Sequence, residues 1–499
     1  MPGTDGATVG EGAHGDTGAL HRTLSFRDLV VYGLLFIAPM APVGIFGTLQ
    51  ATSHGAITAV YLVATVAMAF TAYSYAQMVR VAPKAGSVYA YARVGLGEGA
   101  GFVAGWMAML DYLLIPAVAY LFSGIALHAL VPQVHQWVWT AVAVVVTTLL
   151  NLWGVRTAAV VGFAVLALEI AVLVVFVVAA VWALAAHGAQ RGWAVPLTGE
   201  GGFSPDAVLA AVSVAVLSYL GFDAIASFAE ETEDAPRDGG PPGRSLGERP
   251  GKGGGGRRVG GSRRVARAVV TCLVVAGVLF AVQTYLAALL APMSAAELAA
   301  EPGGQGAAFY VTVDSAVGGW LHDLVAVSKA VGAAFAALAG QAAAGRLLFA
   351  MARDRRLPGP MAKVDAGSGV PRRALLGAAL VTLVAAVWAA TRDDGLDQLS
   401  SIVNVGALTA FALLHASVIG WFRIRRRAAV PSLLRHVVVP LVGLAVVVAV
   451  VVEASPTAQV VGGAWLLVGL VVLAVQYAKA DSSADSSARS SAGSRASGD

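Results

Sequence analysis

The feature that most constrains this chain is a succession of twelve long apolar runs. They lie at about 29–50, 57–79, 99–131, 138–154, 159–186, 207–229, 266–291, 320–350, 374–390, 399–422, 434–453 and 457–476. Most are near or above the ~20 residues a helix needs to cross the hydrocarbon core of a bilayer. The strands of a membrane barrel would alternate apolar and polar residues and be about half as long. The fold class this implies is an all-α polytopic membrane protein of about twelve transmembrane helices. Only 12% of residues are charged and the mean hydropathy is +0.74. A soluble domain is about 25% charged, so lipid is the natural solvent here. The first run follows a polar leader and has no small-residue cleavage site, which reads as a retained span. The single Cys272 excludes an intrachain disulfide.

The basic residues order these runs. With the N-terminus in the cytoplasm, Arg80, Lys84 and Arg93 fall inside, as do nine basic residues from Arg237 to Arg267 and six from Arg353 to Arg373. The cluster from Arg423 to Arg435 also falls inside. Segment 291–319 falls outside and carries no Lys or Arg, and Arg191 and Arg392 are the clear outer cations. This asymmetry is what the positive-inside rule demands of an even number of spans, with both termini cytoplasmic. Residues 1–24 and 479–499 lack the apolar content to fold and are expected to be disordered tails. Between them lies a single transporter domain, 25–478. It is interrupted by a Gly- and Arg-rich cytoplasmic insertion at 237–264, read either as a solvated linker or as a segment that touches anionic lipid.

Two spans carry interruptions. The first reads Ala38-Pro39-Met40-Ala41-Pro42-Val43-Gly44-Ile45-Phe46-Gly47. Proline removes a backbone donor and clashes with the preceding turn, and glycine weakens the helix. Freed backbone groups are tolerated at that depth only where they are buried in protein or line a wet cavity. A simple kink would need one proline rather than this cluster. The sixth span reads Val216-Leu217-Ser218-Tyr219-Leu220-Gly221-Phe222-Asp223 and sets a glycine beside a carboxylate. Breaks at matching positions of two halves point to the central site of a secondary transporter. The amides at the start of one half-helix attract anions, and the carbonyls at the end of the other attract cations.

Ionisable groups inside spans are expensive and mark function or a structural pair. Five polar sites qualify: Asp111, Glu169, Asp223, Lys329 and His415. The carboxylates among them suit a cavity that takes a cationic solute or passes protons, since a desolvated carboxyl group holds its proton more readily. The structural alternatives are an ion pair of Lys329 with one carboxylate, and an interhelical hydrogen bond for His415.

Several motifs recur in a fixed order. After the second run comes Pro83-Lys84-Ala85-Gly86-Ser87-Val88-Tyr89-Ala90-Tyr91, then Gly95, Gly101-Phe102 and Gly105-Trp106. The sixth run gives Gly221-Phe222-Asp223, followed by Glu230-Glu231 and Pro236-Arg237. The eighth ends with Arg346 and Met351-Ala352-Arg353-Asp354-Arg355-Arg356-Leu357-Pro358. In this order they resemble the amino acid–polyamine–organocation permease family over about residues 24–478. The resemblance implies a five-plus-five inverted repeat with broken helices 1 and 6 and two C-terminal helices. It also implies a substrate held between the breaks, and transport driven by protons. Amino acid members present a hydroxyl in span one, where this chain has Pro42-Val43-Gly44. Pro39-Met40-Ala41, Phe46-Gly47 and the stretch Leu434 to Leu441 are more similar to the putrescine-importer branch. A diamine wants carboxylates, which Asp111 and Asp223 would supply.

The expected substrate site is therefore Pro42, Val43, Gly44 and Ile45 with Val216, Leu217, Ser218, Tyr219, Leu220, Gly221 and Phe222, and with Asp111 nearby. Tyr219 or Phe222 would serve as an aromatic gate or a cation–π face. Asp223, Glu169 and Lys329 are the expected proton-coupling groups. The partners are the solute, a coupling proton and the bilayer, with no nucleic acid, cofactor or metal. The leading function is import of an amino acid or a polyamine such as putrescine by proton symport. An exchanger and a non-transporting nutrient sensor remain open. An enzyme is disfavoured, because the chain has no His-Glu-x-x-His, Gly-x-Ser-x-Gly or phosphate-cradling loop.

Overall fold

The computed structural model describes residues 25–82, 87–153, 156–222, 225, 258–353, 359–362, 372–425 and 432–496. Among these the chain is helical, with no strand. The helices are α1 (Phe26–Ile37), α2 (Ala41–Thr52), α3 (Ile57–Val81), α4 (Ser87–Gly95), α5 (Glu98–Leu130), α6 (Gln136–Trp153), α7 (Arg156–His187), α8 (Val195–Thr198) and α9 (Pro205–Ala215). After these come α10 (Arg258–Leu290), α11 (Ala295–Ala300), α12 (Ala308–Ala316), α13 (Gly319–Arg353), α14 (Arg372–Ala390), α15 (Gly395–Ile419), α16 (Val439–Val452) and α17 (Pro456–Ala496). Within the described residues every apolar run coincides with one of them or with a broken pair. Among the described residues nine helices are long and apolar enough to cross a membrane. The pair α1 and α2, bent by 45°, makes a tenth. The runs at 138–154 and 207–229 appear as shorter apolar helices, and the second leads into residues that are not described.

The local chemistry explains the ends. Ser25 and Asp28 close a capping box at the start of α1, with Ser25 N–H donating to Asp28 Oδ2 at 2.9 Å. Pro39 and Pro42 then stop α1 and start α2. Ala38 adopts φ 57°, and Pro42 sits in the first turn of α2, where a missing N–H costs nothing.

Helix α5 is the axis of the bundle and packs against α4, α6, α13, α14, α15 and α17. Small residues permit the close crossings, as expected where lipid supplies no hydrophobic drive between helices. A Cβ on Gly406 would lie 3.0 Å from the Met107 carbonyl of α5, and one on Gly340 would lie 3.2 Å from Pro116. Trp106 and Trp465 stack at 4.9 Å, and each indole N–H donates to the other's backbone carbonyl at 2.8 Å, which pins α17 to α5. Buried His415 accepts the structural role open to it, held by Ser74 at 2.8 Å and Thr71 at 3.3 Å across α3 and α15. Outward faces are apolar, with Val460 71% and Leu467 64% exposed, as suits a surface bathed in lipid.

Two expected boundaries differ. Residues 1–24 and 237–257 lie outside the described residues, but 258–264 form the first turns of α10 rather than the end of the insertion. Helix α17 continues to Ala496, past the point where the sequence predicts a tail to begin. Its extension is rich in alanine, the strongest helix former.

Candidate functional site

The two interrupted spans touch at their breaks. Helix α9 ends at Ala215 and tightens into a 3₁₀ turn, Val216–Tyr219, before Leu220 turns extended and Gly221 takes φ +107°. A Cβ on Gly221 would sit 2.9 Å from the Phe36 carbonyl at the end of α1. Only glycine lets both backbones come this close with that φ.

The break between α1 and α2 turns the Pro39 and Met40 carbonyls toward other spans, which donate to them. Gln283 of α10 donates its amide to the Pro39 carbonyl at 3.0 Å. Lys329 of α13 donates its ammonium to the Met40 carbonyl at 3.1 Å. A buried cation thus sits in the break itself, on the carbonyl of the residue that precedes α2. The same ammonium lies 4.8 Å from the Phe122 ring centroid on α5, and that ring covers Gly44. One turn along α13, a Cβ on Gly332 would overlap the Glu169 carboxylate of α7. Glu169 is 2% exposed, its Oε1 has no hydrogen-bond partner, and its charge acts on Lys329 through the low-dielectric interior.

The α9 break is held in the same manner. Asn404 of α15 donates to the Ser213 and Val214 carbonyls at 2.6 and 3.2 Å. Ser218 and Tyr61 share a hydrogen bond at 2.9 Å. Tyr219 meets Thr65 at 2.6 Å and donates to the Tyr61 carbonyl at 3.1 Å. Both hydroxyls are therefore committed to α3. We expect Ser218→Ala to lower stability by about 1 kcal/mol and to leave transport nearly intact, as thermal unfolding and uptake would show. A large loss of uptake at unchanged stability would mean that the hydroxyl meets solute.

The expected residues divide by place. Pro42, Val43, Gly44 and Ile45 are buried on α2, and Val216, Leu217, Leu220 and Phe222 are buried at the second break. Phe222 packs edge-on to Tyr75 at 5.7 Å and against Phe411 at 5.9 Å. Tyr75 packs on Tyr91 at 6.0 Å, and these four rings are at most 2% exposed. They close the end of the bundle that carries Arg93 and Arg425. Asp111 is buried where α5 crosses Gly406 of α15. It precedes Phe122 by eleven residues, about 16 Å along the helix, and so is not one of the groups gathered around Lys329. Asp223 lies outside the described residues. Gln283 and Asn404 escaped the sequence reading, although each is an amide within an apolar run. Phe122 gave no signal at all.

At the opposite end a cavity of about 810 Å³ is open. It is lined on α2 by Thr48 and Thr52 and on α5 by Leu121 and Ile125. Thr48 stands one turn from Gly44, and Leu121 neighbours Phe122. The cavity thus reaches down between α2 and α5 as far as Thr48 and Leu121, next to the contact of Phe122 with Gly44.

Comparison with known proteins agrees with this architecture. The sequence profile of the amino acid permease family matches residues 29–476. The low-affinity putrescine importer PlaP of Escherichia coli K12 is 27% identical over 461 residues, 91% of this chain and 93% of the relative. The branched-chain amino acid permease BcaP of Bacillus subtilis is 26% identical, covering 80% of this chain and 81% of the relative. The vacuolar cationic amino acid transporter 4 of Arabidopsis thaliana is 27% identical, covering 80% and 63%.

Proposed function

This chain belongs to the amino acid permease family, and we propose that it imports a polyamine such as putrescine, or failing that an amino acid, across the cell membrane by proton symport. The observation that carries this reading is the first break. Its Met40 carbonyl is bonded by buried Lys329, beside a Glu169 carboxylate oxygen without a partner, and an open cavity ends at Thr48, one turn of α2 from the Gly44 that Phe122 covers. The cavity end faces outward and the basic end faces the cytoplasm, in accord with the distribution of Lys and Arg. Outward opening and the ring seal of Phe222, Tyr75, Tyr91 and Phe411 together describe a carrier ready to load.

The choice of an amine follows from what α2 lacks. An amino acid carboxylate wants several amides at a half-helix start. Pro42 has no N–H, and the Val43 amide already donates to the Met40 carbonyl at 3.1 Å. An ammonium group instead suits the carbonyls of the break and the Phe122 face, which already hold the Lys329 ammonium. The printed function of PlaP as a putrescine importer supports the same class. In this reading Glu169, with Asp223 as the second candidate, carries the proton. Protonation removes the charge that faces Lys329 and frees the ammonium to leave the Met40 carbonyl. That bond ties α13 to the first break, so its release allows one set of helices to rock against the other.

The test is uptake of labelled putrescine, in parallel with labelled amino acids, by proteoliposomes with and without an inward proton gradient. We expect gradient-stimulated putrescine uptake in the wild type. In Glu169→Gln we expect the gradient response to fall at least tenfold while putrescine counterflow persists. Uptake that ignores the gradient but needs internal solute would make the protein an exchanger. Absence of uptake of any solute by correctly inserted protein would favour a sensor.

A further inference from the structure

The cavity at the open end has a chemistry of its own. Its volume of about 810 Å³ lies within the ~300–1,000 Å³ range of small-molecule sites. One wall is the turn from α14 to α15 and the first turn of α15, which place Asp393, Asp394 and Asp397 on it. The other charged or titratable groups on the lining are Arg392, His128 and His135. Arg392 is drawn aside, with its guanidinium carbon 5.1 Å from the Trp388 ring centroid, and His128 Nδ1 is bonded to the Val134 carbonyl at 2.8 Å. Asp394 accepts from Gln398, and Asp397 is half-buried beside the Asp394 carboxylate. Three carboxylates therefore meet one guanidinium that is stacked elsewhere.

A second observation comes from Thr48 on the opposite wall. Several threonines in this bundle donate to the carbonyl one turn back, as Thr65, Thr140 and Thr312 do at 2.7, 3.0 and 2.8 Å. Thr48 is 3% exposed, lines the cavity, and has no hydrogen-bond partner among the described residues. Its hydroxyl, turned to the open cavity with no protein partner, is free to bond a polar group that enters there.

We propose that this vestibule is a docking site for an aliphatic diammonium or polyamine cation, held by Asp393, Asp394 and Asp397 at the rim and by the Thr48 hydroxyl at the floor. It loads the solute before the broken helices take it. The carboxylates attract the cation and fix its outer ammonium, and the chain between the ammonium groups lies on Leu121 and Ile125. The inference rests on the polyamine reading only for the onward step. Docking itself needs no transport.

The experiment uses the full chain in detergent and in proteoliposomes, with putrescine and spermidine as probes. Equilibrium binding is measured in the wild type, Asp393→Asn/Asp394→Asn/Asp397→Asn, Thr48→Val and Lys329→Met. Lys329→Met, which is impaired at the break, keeps the vestibule event and so separates the two readings. If the polyamine import reading fails but docking is real, amine binding persists in Lys329→Met and weakens in the triple variant. The triple variant is expected to weaken binding about tenfold, to raise the KM for uptake by a similar factor and to leave the maximal rate within twofold. Thr48→Val is expected to weaken binding about threefold to tenfold. Raised salt should weaken wild-type binding and barely affect the triple variant. Unchanged amine affinity and KM in the triple variant, with its melting temperature preserved, would overturn the proposal. A fall in maximal rate at constant KM would do the same.

Discussion

Lys329→Met is expected to reduce gradient-driven uptake by roughly 100-fold or more and to destabilise the protein by about 3–5 kcal/mol, the cost of removing one partner of a buried charged pair. Two losses add there. The Met40 carbonyl loses the ammonium bonded to it at 3.1 Å and keeps only the Val43 amide, so the tie from α13 to the broken helix is gone. The Glu169 charge, 98% buried, loses the cation that faces it. The two effects can be separated with Lys329→Met/Glu169→Gln. Removing both charges should recover most of the melting temperature, because a matched neutral pair costs little, yet leave uptake unresponsive to the proton gradient. Thermal unfolding and proteoliposome uptake measure both quantities. Wild-type uptake in Lys329→Met would remove Lys329 from the mechanism altogether.

Gly221→Ala is expected to lower uptake more than tenfold in protein that still inserts. Its φ of +107° costs a side chain about 1–3 kcal/mol, and its Cβ would lie 2.9 Å from the Phe36 carbonyl, a backbone atom that cannot swing away. The two breaks must separate, and the site between them changes shape. Gly188→Ala serves as the control. It has φ +80° but no atom within 4 Å of the added Cβ, so it bears the conformational cost alone. The difference between the two variants in melting temperature and uptake isolates the contact between the breaks. Equal effects would show that the contact does not matter.

The Pro39–Pro42 break was legible because proline and glycine act locally, through a missing donor and a lost helical preference, and need no neighbour to do so. Glu169 and Lys329 were legible as expensive groups for a related reason, since lipid makes any charge at that depth conspicuous. Their partners were not legible. Helix α7 is apolar on nearly every face, so no stripe shows which way Glu169 points. The same uniformity hid Phe122, one aromatic residue among many. Ser218 and Tyr219 looked available for solute and prove to be bonded to α3. Asp111 looked like a partner for an amine and lies about 16 Å along α5 from Phe122.

The sequence by itself determined the solvent, the helical class, the series of apolar runs and the position of the first break. Each depends on hydrophobicity, chain length or backbone chemistry within a short window. The tertiary structure alone decided that the breaks meet at Gly221 and Phe36, that Lys329 bonds the Met40 carbonyl, and that Thr48 and three aspartates share one cavity. Those pairings depend on how each helix is rotated about its axis. In a bilayer that rotation is set by close packing around small residues and by the need to satisfy freed backbone groups, which no single run of residues encodes.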